Sequence, residues 1–251
     1  MRKRFLVSLV GVGTLLALLA GAPPVQADQK VPVLIVGGLT EPAADLSVLR
    51  DRLQDAGFTV FTMALPGSIP GIQDIALSAR AVATEAGAVL AQTGASRLDV
   101  VGHSEGGLAL RYYIKYLGGG DQVLRYVSLG TPQHGTELAN LVATFPVLGT
   151  LAGAACTACA QMAVGSAFLD ALNGPTDVPP GPAGYTALGT THDELVIPAP
   201  QASFLNDGGT NASVQQFCPL DPVMHVGLLF DRPTAGLVVS ALRGGPLTTT
   251  C

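Results

Sequence analysis

The chain has 251 residues, of which 48% are hydrophobic and 12% charged, and its formal net charge is -5. That length and apolar content suit one domain with a substantial core. The acidic balance argues against a nucleic-acid partner and against electrostatic docking on anionic membranes.

The N-terminus reads as an export signal rather than as part of the fold. Arg2, Lys3 and Arg4 form a basic segment, Phe5 to Ala20 is apolar, and Val25-Gln26-Ala27 ends in the small residues that signal peptidases read. The apolar run is short for a membrane-spanning helix. A mature chain beginning at Asp28 and ending at Cys251 is expected to be a single, secreted, extracellular domain. Processing removes three basic residues and no acidic one, so the mature surface is more acidic still.

From Val31 onward, strand-like and helix-like segments alternate, the pattern of a mostly parallel sheet with helices on both faces. Val31 to Val36 is an apolar strand, followed by the turn Gly37-Gly38-Leu39-Thr40-Glu41-Pro42. Asp45 to Ala56 carries Leu46, Leu49 and Leu53 at helical spacing, and Gly57 stops it. Phe58 to Met63 reads as a strand, Pro66 to Gly71 as a loop, and Ile72 to Gln92 as a long Ala-rich helix closed by Gly94. Leu98 to Val101 is a strand and Leu108 to Leu117 a helix. Val123 to Leu129 is the next strand. Leu138 to Ala163 is apolar and almost uncharged, so residues 138–182 either pack helices on the sheet or form a cap or acyl pocket over a site. Asn173 to Gly184 is a Pro- and Gly-rich loop. Tyr185 to Leu188 and Val214 to Phe217 are the last expected strands, and Thr234 to Leu242 the last helix.

Cys156, Cys159, Cys218 and Cys251 are an even set in a chain read as secreted, which points to disulfides. Four cysteines allow three pairings, and Cys156–Cys159 with Cys218–Cys251 is the favoured one. Zinc would need a second ligand pair at suitable spacing, and none stands in the sequence. The context of Cys156-x-x-Cys159 does not match a thioredoxin-like redox unit.

The chemistry concentrates where the strand at Leu98 runs into Gly102-His103-Ser104-Glu105-Gly106. A strand, Gly-x-Ser-x-Gly and a helix in succession form a nucleophile elbow, the mark of an α/β-hydrolase fold. Ser104 must sit on a sharp turn, and the glycines omit side chains that would clash there. A serine nucleophile needs a base, and the base an orienting carboxylate, in the chain order Ser, acid, His. His225 lies after the last expected strand and before the last helix, where the base belongs. His103 adjoins the nucleophile and is expected to pack beside the elbow. His134 precedes any suitable acid, and His192 is next to Asp193. Asp193 follows the strand Tyr185 to Leu188 and is the expected acid, with Glu194 as runner-up. Asp177 has no strand leading to it, and Asp221 is too near His225 in sequence. The backbone N–H groups of Leu39 and Glu105 are expected to form the oxyanion hole, with the Thr40 hydroxyl as a further donor. The Glu105 carboxylate would oppose that charge unless its side chain points away along the helix.

Several separate motifs, in order, resemble secreted bacterial lipases of the class 2 type. They are Gly102-His103-Ser104-Glu105-Gly106-Gly107 with Arg111-Tyr112-Tyr113, Leu129 to Gly135, Gln161-Met162 through Gly165-Ser166 to Leu172-Asn173, and Asp193 to Pro198. The resemblance implies an α/β-hydrolase that cleaves triacylglycerols or other carboxylic esters with Ser104, Asp193 and His225. It implies no cofactor or metal, an apolar ester substrate, transient contact with a lipid–water interface, and a monomer. Many such lipases have His-Gly before the oxyanion residue, whereas this chain has Gly37-Gly38. Rival readings are a short-chain esterase, a cutinase-like polyester hydrolase, and a non-catalytic lipid-binding protein of the same fold.

Overall fold

Val33–Val36 (β1) is an uninterrupted apolar run, and all four residues are buried. Its alternation serves two cores at once. Leu34 and Val36 face a cluster that includes Val100, Leu108 and Ile75, whereas Val33 and Ile35 face Leu46, Leu49, Val101 and Leu237. A strand buried on both faces needs no polar side, which is why its sequence does not alternate.

The computed structural model describes residues 31–139, 150–151, 154–181 and 183–251. The expected export signal lies outside the described residues, as does part of the uncharged stretch after Leu138. The remaining strands are Val60–Met63 (β2), Leu98–His103 (β3), Val123–Leu129 (β4), a short hairpin of Thr150–Leu151 (β5) with Ala154–Ala155 (β6), Gly184–Gly189 (β7) and Thr210–Ser213 (β8). Among the described residues one six-stranded sheet forms, in the order β2-β1-β3-β4-β7-β8, and every pairing in it is parallel. The helices are Ser47–Asp55 (α1), Ile75–Thr93 (α2), Glu105–Tyr116 (α3), Thr157–Gln161 (α4), Ala167–Asn173 (α5) and Arg232–Arg243 (α6). Residues of α2, α3 and α5 join one core, and those of α1 and α6 the other. This is the expected α/β-hydrolase architecture.

One expected element is corrected. The last strand is Thr210–Ser213, not Val214 to Phe217. Ser213 and Gln216 form a capping box, with the Gln216 side chain accepting from the Ser213 amide at 2.9 Å, and this turns Val214–Gln216 into a 3-10 helix. The helix after the elbow begins at Glu105, directly after Ser104 at its N-cap, as the elbow requires.

Strand order reverses between β1 and β3, and that places their C-terminal turns at the edge of one crevice. A buried polar network braces the loop after β4. The Arg111 guanidinium donates to Gln133 Oε1 at 3.0 Å, to Asn173 Oδ1 at 2.9 Å and to the Asp177 carbonyl at 2.5 Å. Helix α3 is thereby tied to the loop after β4, to the end of α5 and to the Pro-rich loop. His134 pairs with Asp177 at 2.8 Å within the same network, so both are engaged away from the elbow. Gln161 bridges α4 to the start of α2, accepting from Ile75 N at 2.8 Å and donating to Asp74 at 2.9 Å.

The disulfides are Cys156–Cys159 and Cys218–Cys251, the favoured pairing. The second closes a span of 33 residues and anchors the chain end to the loop before His225. Chain-entropy arguments give a closure of that size about 3–4 kcal/mol. Cys251→Ser is therefore expected to lower the free energy of unfolding by about that amount, as read from denaturant melts under oxidising conditions.

Candidate active site

Ser104 stands between β3 and α3 with φ 51° and ψ -127°, a strained conformation for a residue with a side chain. The packing around it leaves no alternative. A Cβ on Gly106 would lie 2.5 Å from the Val36 carbonyl oxygen, and one on Gly102 would lie 2.6 Å from the Gly107 backbone. Gly38, the glycine shared with the His-Gly pattern, is required here, because a Cβ there would approach Ser104 Cβ to 2.7 Å.

Asp193 and His225 come together from separate loops. The buried Asp193 Oδ2 accepts from His225 Nδ1 at 2.9 Å. Its Oδ1 accepts from the amides of Leu195 at 3.0 Å and Val196 at 2.7 Å, so the carboxylate is fixed before it meets the ring. With Nδ1 donating, Nε2 is left as the acceptor. The adjacent Glu194 has a different task, since its carboxylate accepts from the His225 backbone amide at 3.0 Å. The loop carrying His225 is braced by Thr190, whose hydroxyl donates to the Val223 carbonyl at 2.6 Å. Gly130 (φ 54°) floors the ring, because a Cβ there would be 3.0 Å from His225 Nδ1. Among the described residues no hydrogen bond joins Ser104 Oγ to His225. Both residues line one cleft, an arrangement in which such a bond commonly tightens only with substrate bound.

Leu39 lies on the same cleft. Its neighbours' amides are committed, Gly38 N–H to Glu41 at 2.6 Å and Thr40 N–H to the Pro70 carbonyl at 2.8 Å. The second of these holds Thr40 at φ 63°, a strained value for a β-branched residue. Glu105, as the first residue of α3, has an amide without an intrahelical acceptor. The expected course of its side chain is corrected. The carboxyl does not run out along the helix; it is fully buried, where a Cβ on Gly71 would come within 2.5 Å of Oε2 and 3.1 Å of Leu39 Cα. Burial, reinforced by the nearby Glu41 carboxylate, pushes its pKa well above the usual carboxylate range. A neutral carboxyl does not oppose negative charge at the adjoining turn.

The cleft has a volume of about 500 Å³ and is walled by Leu39, Pro132, Leu138, Met162, Leu195 and Val226, among others. A larger and more open hollow of about 800 Å³ lies between α1, α6 and the chain end, lined by Arg52, Asp55, Arg232 and Arg243, and shares no residue with it. A family model described as palmitoyl protein thioesterase matches residues 32–172, more than half of the chain. The chain belongs to that family. Among solved structures, Aspergillus fumigatus lipase B aligns with a TM-score of 0.71 at 25% identity, over 85% of this chain and 52% of that one. The chain thus spans about half the length of that lipase. The propeptide form of Bacillus licheniformis lipase BlEst2 aligns with a TM-score of 0.65 at 17% identity, over 89% of this chain and 52% of that one. The metagenome-derived lipolytic enzymes LipS and LipT give 0.55 at 15% identity, over 80% and 87% of the respective chains. The last two likenesses concern the fold alone. This palmitoyl protein thioesterase family member has the α/β-hydrolase fold, with lipase- and esterase-like structural relatives.

Neither the burial of Glu105 nor the Glu194 contact was visible in the local sequence, since both depend on turns from distant strands. Glu105→Gln tests the first. The folded-state pKa is raised, so the native state favours the protonated acid, and stability declines as pH rises above the ordinary carboxylate value of about 4.3. Glutamine has no such ionisation. Thermal melts across pH are expected to show the variant's advantage growing from near zero at acidic pH to its largest value on the alkaline side.

Proposed function

We propose that this protein is a secreted serine hydrolase that cleaves carboxylic esters of apolar acyl groups, triacylglycerols among them. The observation that carries the reading is the buried Asp193–His225 pair at 2.9 Å, facing the same largely apolar cleft as a strained serine. His225 Nε2 takes the Ser104 proton as Oγ attacks the ester carbonyl. Asp193 holds the ring in the required tautomer and stabilises its charged form. The N–H groups of Leu39 and Glu105 receive the oxyanion. His225 then returns the proton to the leaving alcohol, and an acyl-Ser104 ester remains. Water, deprotonated by His225, releases the acid and restores the enzyme.

Exposed apolar side chains surround the mouth. Leu138, Leu195 and Val226 line the cleft and are still 36%, 38% and 44% exposed, with Met224 beside His225 at 49%. They support an apolar substrate and transient contact with a lipid–water interface. Residues 138–182 contribute Leu138, Ala139, Cys159 and Met162 to the cleft, which favours the acyl-pocket reading of that region. Two disulfides fit export through an oxidising compartment. A second reading, thioester hydrolysis, is favoured by the family match; the same acyl-enzyme serves a thiol leaving group.

A fluorophosphonate probe is expected to label the wild-type protein and not Ser104→Ala. The same variant should lose about 10⁴-fold or more in turnover. Initial rates with p-nitrophenyl esters and acyl-coenzyme A thioesters of increasing chain length then separate lipase, short-chain esterase and thioesterase. Full turnover by Ser104→Ala would overturn the proposal.

A further inference from the structure

Two buried ionisable residues beside the elbow have no part in the scheme above. His103 precedes Ser104, and its ring is completely buried, 4.7 Å from the His225 ring. Its Nε2 lies 3.1 Å from the His225 carbonyl oxygen. A carbonyl only accepts, so Nε2 carries a proton. Its Nδ1 lies 2.6 Å from Glu41 Oε1. Two lone pairs would repel at that separation, so a second proton occupies that contact. The other carboxylate oxygen of Glu41 accepts from the Gly38 amide at 2.6 Å. One continuous chain of contacts therefore runs from the oxyanion turn through Glu41 and His103 to the backbone of the base.

We propose that Glu41 and His103 form a second carboxylate–imidazole pair, carboxylate with imidazolium, whose work is to position the Gly38–Leu39 turn and His225 around Ser104. The proposal rests on the reading of Ser104, Asp193 and His225 as the triad. Both members are positioning residues. Glu41 fixes the turn through Gly38, one residue before the proposed oxyanion donor, and among the described residues no acceptor takes the Leu39 amide. His103 ties the elbow to the loop that carries the base. Burial opposes ionisation of both, yet each is held charged by the other: Glu41 is kept below the usual carboxylate range and His103 above the usual histidine value. The groups facing the pair are Asp193, which favours the His103 cation; His225, whose charged form favours the Glu41 anion; and Glu105, whose raised pKa leaves it neutral beside Glu41. Opposite partners on both sides let two charges sit in a buried site that would expel either alone.

The test uses the intact protein labelled with ¹⁵N-histidine. Side-chain nitrogen spectra at about pH 8, well above the ordinary histidine value, are expected to show His103 with both nitrogens protonated. Assignment comes from the signals lost in His103→Gln. A neutral His103 in the wild-type spectrum overturns the proposal, whether or not any variant folds. Kinetically, Glu41→Gln is expected to lower kcat by about tenfold or more, by disordering an oxyanion donor, with KM within about twofold. An unchanged kcat in folded Glu41→Gln, with wild-type Ser104 still labelled by the fluorophosphonate, overturns the positioning role and leaves the triad reading intact. Failure of the wild-type protein to label overturns the triad reading itself, and the positioning role with it.

Discussion

The site depends on a backbone crossing too close to admit side chains. Where β3 turns into α3, the helix's first turn lies against the end of β1, and a Cβ on Gly106 would sit 2.5 Å from the Val36 carbonyl oxygen. Gly102 faces the backbone of Gly107 at a comparable distance, and Gly38 faces Ser104 itself. These three approaches bring two separate loops to a common point, and they hold Ser104 at a positive φ that it would not adopt alone. The strain persists because the crossing is embedded in a sheet whose strands on either side are fully buried.

Around that crossing the protein buries an unusual density of ionisable groups. Glu41, His103, Glu105, Asp193 and His225 are all buried. Such crowding is tolerable because the groups are sorted. Asp193 and Glu41 each face an imidazole, and each accepts backbone amides as well. Burial instead pushes the Glu105 pKa well above the usual carboxylate range. The environment of each carboxyl group follows from what stands opposite it.

Local signals were strong for much of this. The apolar run at Val33 to Val36, the leucine spacing of α1, and Gly57 and Gly94 as stops are local patterns, and each matched an element. The strand–Gly-x-Ser-x-Gly–helix succession located the elbow because every step of that turn constrains a residue type. Local reading failed where a polar pair overrode an apolar pattern. Val214 to Phe217 looks like a strand, but the Ser213–Gln216 capping box makes it a 3-10 turn. It also failed where a side chain's surroundings come from afar, as with Glu105 under Gly71.

The sequence by itself determined the fold class, the elbow and the short list of acids and histidines, because those follow from periodicity, turn chemistry and chain order. Which members of the list meet was decided only in three dimensions. Asp193 and Glu194 are neighbours on one turn, yet one reaches the His225 ring and the other its backbone amide. His103 and Glu41 are 62 positions apart and touch only because β1 and β3 lie side by side in the sheet. Pairing of adjacent strands is a tertiary event, so no local pattern announces the charges it brings together.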